Sequence, residues 1–302
     1  MLGISTAWWR DSSLSGEEII QDILDLGFHG MELEYRLTQT RYQEMKAYLK
    51  KGITVLSVHN YFPKPDDPSV GEGGGDLFLL SSADSDERAR AIKYTIKTLR
   101  HANDLEVPVV VLHLGRVAMP SPKAIIRKLF EEGKMHHSEG LDFLKGQKEM
   151  RHSKKQKNVD AVLGSLDKLN REAERQGVIL GIENRSHFHE IPNFEEIGMI
   201  LMEFGGGRIR YWHDVGHAVV QENMGICKQK ALLEAYAHSM AGIHVHDVRG
   251  IEDHMAPGQG DVDFEQFKPY IKPETIQILE LHPKVNREAI KKGRSIIEGA
   301  LG

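Results

Sequence analysis

The run Gly242-Ile243-His244-Val245-His246-Asp247-Val248, followed by Glu252-Asp253-His254 and then Pro257-Gly258-Gln259-Gly260, carries the densest set of metal-type side chains in the chain. Its alternating aliphatic residues mark a short strand. Its histidines and carboxylates stand at the end of that strand and just beyond it, where parallel α/β proteins display their reactive groups.

Working outward, apolar runs of the same character recur at 2–5, 30–34, 54–59, 109–113, 178–183, 209–214 and 275–281, with 242–246 completing the set. Segments of helical period separate them, which argues for βα units. Helices are predicted at 15–25, 40–51, 86–103 and 193–203, the first opening on a capping pattern at Ser15 and Glu18. Eight such units close into a (β/α)8 barrel more naturally than they make an open sheet, and 302 residues suit that size. The expectation is one TIM-barrel domain over residues 1–302.

Two connections are too long for plain loops. Segment 61–85 carries Pro63, Pro65, Pro68 and a glycine-rich run from Gly71 to Gly75, and reads as a cover near the barrel mouth. Segment 116–157, after the fourth strand, reads as a basic helical insertion with Arg127, Lys128, Lys145, Lys148, Arg151, Lys154, Lys155 and Lys157. A solvated insertion is the plain reading of it; a lid that grips a phosphate is the functional one.

Hydrophobic residues at 40% and charged residues at 27% exclude a largely disordered chain. No apolar run approaches the roughly 18 residues that span a bilayer. A net charge of −5 provides no global field for nucleic acid or an anionic membrane. The single cysteine, Cys227, and the absence of a basic leader before the apolar start set the expectation of a cytoplasmic protein.

The strand ends carry the chemistry. Strand three ends at His59, strand four at His113, strand five at Glu183, and strand six at Asp214 with His217 close behind. Strand seven ends at His244 and His246, its loop adds Glu252 and His254, and strand eight ends at Glu280. Singly, each such histidine is most simply a hydrogen-bonded core residue and each acid a helix cap. Jointly they make a crowd of buried charge and imidazole that metal ions readily neutralise. Imidazole mixed with carboxylate suits manganese, zinc, iron or cobalt, with manganese and zinc leading.

Val58-His59, Val111-Leu112-His113, Gly181-Ile182-Glu183-Asn184, His213-Asp214-Val215-Gly216-His217, His244-Val245-His246-Asp247, Asp253-His254 through Gly260 and Leu279-Glu280 together resemble the xylose isomerase-like TIM barrels. That group includes sugar isomerases and epimerases and also endonuclease IV, a DNA-repair phosphodiesterase. The resemblance implies a shared metal on Glu183, Asp214, His244 and Glu280, with Glu183 and Glu280 moving a proton in the epimerases. Endonuclease IV-like chemistry implies further ligands at His59, His113, His217, Glu252 and His254, Glu252 replacing an Asp, and thus two or three metals in place of one. The expected function is a divalent-metal-dependent isomerase or epimerase of a small sugar or sugar derivative. The alternative is a multinuclear zinc phosphodiesterase acting on abasic DNA, although no clear equivalent of the loops that penetrate DNA is present. Trp8, Phe62 and His246 are the candidate substrate contacts, Trp8 and Phe62 as stacking surfaces. Arg185, Arg249 and Lys284 near strand ends are placed to bind a phosphate, with surface ion pairing the plainer reading of each. A small sugar is the expected partner, no membrane is, and the insertion offers a contact for a homo-oligomer.

Overall fold

Eight parallel strands close on themselves in the spatial order β1-β8-β7-β6-β5-β4-β3-β2. They are β1 (Leu2–Ser5), β2 (Gly30–Leu33), β3 (Thr54–His59), β4 (Val109–Leu112), β5 (Ile179–Glu183), β6 (Ile209–Asp214), β7 (Met240–Val245) and β8 (Ile276–Leu279). The computed structural model describes residues 1–9, 14–49, 52–67 and 75–302. Pro68 and the glycine run at 71–74 lie outside the described residues, as do positions 50–51 of the helix predicted at 40–51.

Helices α1 (Gly16–Asp25), α2 (Gln39–Lys46) and α3 (Ser85–Asp104) follow the first three strands, and the predicted box at Ser15 and Glu18 caps α1. After β4 come α4 (Lys123–Glu131), α5 (Ser138–Lys154) and α6 (Gln156–Gln176). After β5, β6 and β8 come α7 (Phe194–Glu203), the pair α8 (Val215–Asn223) and α9 (Gln229–Tyr236), and α10 (Arg287–Leu301). Among the described residues no helix is long and apolar enough to cross a membrane.

A strand shows alternate residues to its two faces, so a closed barrel sorts them into an outer and an inner set. Met31, Leu33, Val110, Leu112, Leu180, Ile182, Ile209, Tyr211, Ile243, Val245 and Leu279 belong to the large core shared with the helices. Val109, Val111, Trp212 and Ile278 form a separate cluster with Leu56, Ile179 and Ile276, the packed floor of the barrel. Trp212 is its largest member, and its indole fills the space a side chain on Gly242 would take, 2.2 Å from an added Cβ. The inner positions one step further along the strands are polar. Ser5, Glu32, Ser57, His59, Glu183, Asp214 and His244 are all buried there.

The insertion packs against this end of the barrel. Ile126 and Leu129 of α4 and Leu144 of α5 form a second core with Phe188, Val220 and Met224, and with Val248 in the loop after β7. Lys148 and Lys155 border, with His187 and Lys228, a cavity of about 600 Å³. Arg151 fastens α5 to α7: both its amino groups lie 2.7 Å from the Glu196 carboxylate, one also donates to the Glu190 carbonyl at 2.9 Å, and both side chains are buried. Removing one partner of a buried pair leaves an uncompensated charge. Arg151→Met is therefore expected to cost about 3 to 5 kcal/mol in urea unfolding, with most of the loss recovered in the Arg151→Met, Glu196→Leu double variant.

Candidate metal centre

The four residues matched to the shared metal converge. Glu183 from β5, Asp214 from β6, His244 from β7 and Glu280 just past β8 are buried, and one ligand-type atom from each lies within 4.8 Å of all the others. His244 is the hub. Its Nδ1 is 3.0 Å from Glu183 Oε1, 3.1 Å from Glu280 Oε2 and 3.7 Å from Asp214 Oδ2. Its Nε2 is 3.0 Å from Glu32 Oε2, which also accepts from the Ser57 hydroxyl at 2.8 Å. Glu32 thus fixes the Nε2–H tautomer and turns Nδ1 toward the three carboxylates, the arrangement by which a carboxylate orients a metal-binding imidazole.

The electrostatics call for a cation. Burial disfavours charge on His244, yet Glu280 and Glu32 outweigh it and raise the imidazole well above its ordinary pKa. Burial likewise opposes ionisation of Glu183, but Arg185, His113 and His244 hold it well below the usual carboxylate range. Asp214 is held well below by His217, His246 and His244, and Glu280 below by His244 and His254, each against burial. A proton on His244 here does the work a divalent ion does better. One imidazole and three carboxylates at these separations fit a divalent ion.

Two further groups flank the four. His59 and His113 join Glu183, with His113 Nε2 2.8 Å from Glu183 Oε2 and its Nδ1 3.2 Å from Asp76 Oδ1. Arg185 lies among them, its NH1 2.6 Å from Glu183 Oε2 and 2.5 Å from His113 Nε2. On the other side His246 and His254 join Glu280, and His217 stands near, its ring 5.7 Å from His254. Asp214 also caps α8, its Oδ1 accepting the His217 backbone N–H at 2.6 Å, while His217 Nδ1 lies 3.1 Å from the Asn184 carbonyl.

Several sequence expectations are corrected. Glu252 does not reach the centre: its side chain is 64% exposed and pairs with Arg127 of the insertion, while Asp253 turns inward to His254 at 3.0 Å. Phe62 is core, packed edge-on against Tyr42 and His101 beneath the strands, and so presents no face to a ligand. His246 is fully buried with both nitrogens engaged, Nε2 on Asp214 at 3.0 Å and Nδ1 accepting from the His254 backbone at 2.8 Å. Its ring occupies the place a side chain at Gly216 would need, 1.9 Å from an added Cβ. Because β7 ends at Val245, the strand alternation does not carry His246 into the opening. Trp8 is half-buried, its indole donating to the Val285 carbonyl at 2.7 Å. Asp247 organises a loop, accepting backbone N–H bonds from Val248, Gly258, Gly260 and Val262. Arg185 is buried, not a surface group.

Glu32, Asp76 and Asp253 were missed. Glu32 was findable: Gly30-Met31-Glu32-Leu33 puts a carboxylate at an inner position of an apolar strand. Asp76 lies in the long connection after β3, and nothing in its spacing pairs it with His113.

The model of the xylose isomerase-like TIM barrel family matches residues 20–297. Among solved structures, a D-tagatose 3-epimerase-like protein superposes with a TM-score of 0.67 at 18% identity, covering 99% of this chain and 96% of that one. A putative xylose isomerase from Rhodospirillum rubrum superposes at 0.71 and 16%, covering 99% and 97%. The IOLI protein, solved with a binding zinc atom, superposes at 0.62 and 15%, covering 99% and 97%. At these identities the likeness is one of fold. A search of curated protein sequences finds no match.

Beside the centre, burial pushes Glu34 up to about 7, against Arg36, with Glu280 and Glu32 adding to the rise. Because the unfolded carboxyl titrates near 4.5, the stabilising neutral form is fully effective below that value and is lost as pH rises through 7. Glu34→Gln is expected to abolish a fall of about 3 kcal/mol in unfolding free energy between pH 5 and 8, measured as the difference between variant and wild-type urea curves.

Proposed function

The chain belongs to the xylose isomerase-like TIM barrel family, and from that premise we propose a divalent-metal-dependent isomerase or epimerase of a small sugar or sugar derivative. The observation that carries the proposal is the buried convergence of Glu183, Asp214, His244 and Glu280 around one imidazole nitrogen. Glu183, Asp214, His244 and Glu280 would hold a manganese or zinc ion, which would supply the Lewis acidity that makes a C–H beside a sugar carbonyl acidic. The epimerase and isomerase relatives and the zinc-bound one support this reading.

The chain's own groups divide the remaining work. Glu280 is the carboxylate nearer the opening, its side chain 9% exposed against 1% for Glu183. It takes the proton from the substrate carbon. His254, with Nε2 3.8 Å from Glu280 and Nδ1 held by Asp253, steadies that carboxylate. Glu183, reaching in from β5 while Glu280 comes from the end of β8, serves the opposite face of the substrate. Beside His254 a cavity of about 360 Å³ is lined by Asp253, Gln259, His282, Lys284 and Asn286. That volume falls within the roughly 300–1,000 Å³ of small-molecule pockets, and the polar lining suits sugar hydroxyls.

The phosphodiesterase reading needs further metals on the flanking groups. Glu252, one of the ligands that reading requires, faces Arg127 instead. This contact favours the sugar reading and a small-molecule enzyme.

Protein prepared without chelator is expected to hold about one manganese or zinc per chain by elemental analysis. Chelation should abolish deuterium exchange from solvent into a panel of pentuloses and hexuloses, and adding metal back should restore it. Glu280→Gln should slow that exchange by roughly 100-fold or more when compared with wild type at equal metal content, set by elemental analysis. Undiminished exchange in the variant rules out the role given to Glu280, and a metal-free wild type indifferent to added ions rules out the metal-dependent reading.

A further inference from the structure

We infer that Arg185 is the built-in cation of the His59, His113 and Glu183 group, and that it excludes a second metal ion there, so that the centre holds one metal. The inference rests on the metal-dependent reading above and concerns how many ions the site accepts.

The Arg185 guanidinium carries a fixed positive charge into this group. Its NH1 lies 2.6 Å from Glu183 Oε2 and 2.5 Å from His113 Nε2, and NH2 reaches Glu190 Oε1 at 3.3 Å. The His113 ring is fixed from its other side, Nδ1 lying 3.2 Å from Asp76 Oδ1.

His113 Nε2 and Glu183 Oε2 are two of the ligand atoms a second ion would need in company with His59. A ligand nitrogen binds zinc at about 2.0–2.1 Å, so an ion on His113 Nε2 would fall within the space the guanidinium fills. Two cations would then share the same acceptors at contact distance. The arginine cannot resolve the conflict by losing its proton, and its anchorage opposes retreat. Glu190 holds the far side of its guanidinium, and Gln221 donates to its carbonyl at 2.5 Å.

The arrangement also assigns the two oxygens of Glu183. Oε2 belongs to Arg185 and His113, and Oε1 faces His244 at 3.0 Å, where the shared metal would sit. A bridging role between two ions, which would leave Glu183 without a lone pair for protons, is thereby closed off. Arg185 acts through Glu183 and His113, as a positioning residue.

The test is ion count and ion location. Chelated, metal-free wild type is reloaded with zinc or manganese, desalted and measured by elemental analysis, and its crystals are examined by anomalous diffraction at the metal edge. One ion per chain is expected, with one peak among Glu183, Asp214, His244 and Glu280. Arg185→Met is expected to bind two, the second peak lying among His59, His113 and Glu183, and adding His113→Ala should return the count to one. An ion bonded to His113 Nε2 in the wild type overturns the inference. So does a folded Arg185→Met protein that still takes only one ion, a result that leaves the metal-dependent reading intact. If Arg185→Met fails to fold, the wild-type anomalous map decides alone. A wild type that binds no ion removes both readings together.

Discussion

Every second side chain of a strand that closes into a barrel must enter one small interior, and here the last such side chain on most strands is ionisable. Six of the eight strands contribute a buried Glu, Asp or His at or just past the end, from Glu32 through Glu280, and β4 adds the partly buried His113. Below them Trp212, Val111 and Ile278 fill the barrel with apolar atoms, so water cannot solvate these groups from beneath. The charges have to be balanced by one another or by an ion. Much of the neighbourhood can be read as an answer to that requirement.

Three answers occur side by side. His244 stands between Glu32 and the trio of Glu183, Asp214 and Glu280, its two nitrogens serving opposite sides of the ring. Arg185 brings a fixed positive charge to Glu183 and Glu190. His246 and His217 tie up Asp214, one through a ring nitrogen and the other through its backbone. The supporting contacts come from several βα units, so the geometry of the centre is a property of the closed barrel and not of any one loop.

The insertion after β4 enters the same system. Its apolar faces rest on α8 and on the loop after β7, Arg127 holds Glu252 away from the centre, and Arg151 locks α5 to α7. The basic character that suggested a phosphate lid is thus partly spent on internal ion pairs. Lys148 and Lys155 instead border the cavity shared with His187 and Lys228.

Alternation and helical period along the chain determined the eight strands, the closed barrel and the place of the insertion, because both periods are local properties that survive without knowledge of the partner strand. The same alternation marked which strands end in a His, Asp or Glu, and applied without exception it would have marked Glu32. It could not decide what happens where a strand stops. His246 leaves the barrel parity one residue past β7, Glu252 and Asp253 exchange inward and outward positions in a hairpin, and Phe62 turns under the strands into the core. Nor could it pair Arg185 with His113 or Asp76 with His113, residues 72 and 37 positions apart. Those contacts exist only because barrel closure brings separate strand ends into one dry space, where distance and desolvation, which no linear spacing encodes, choose the partners.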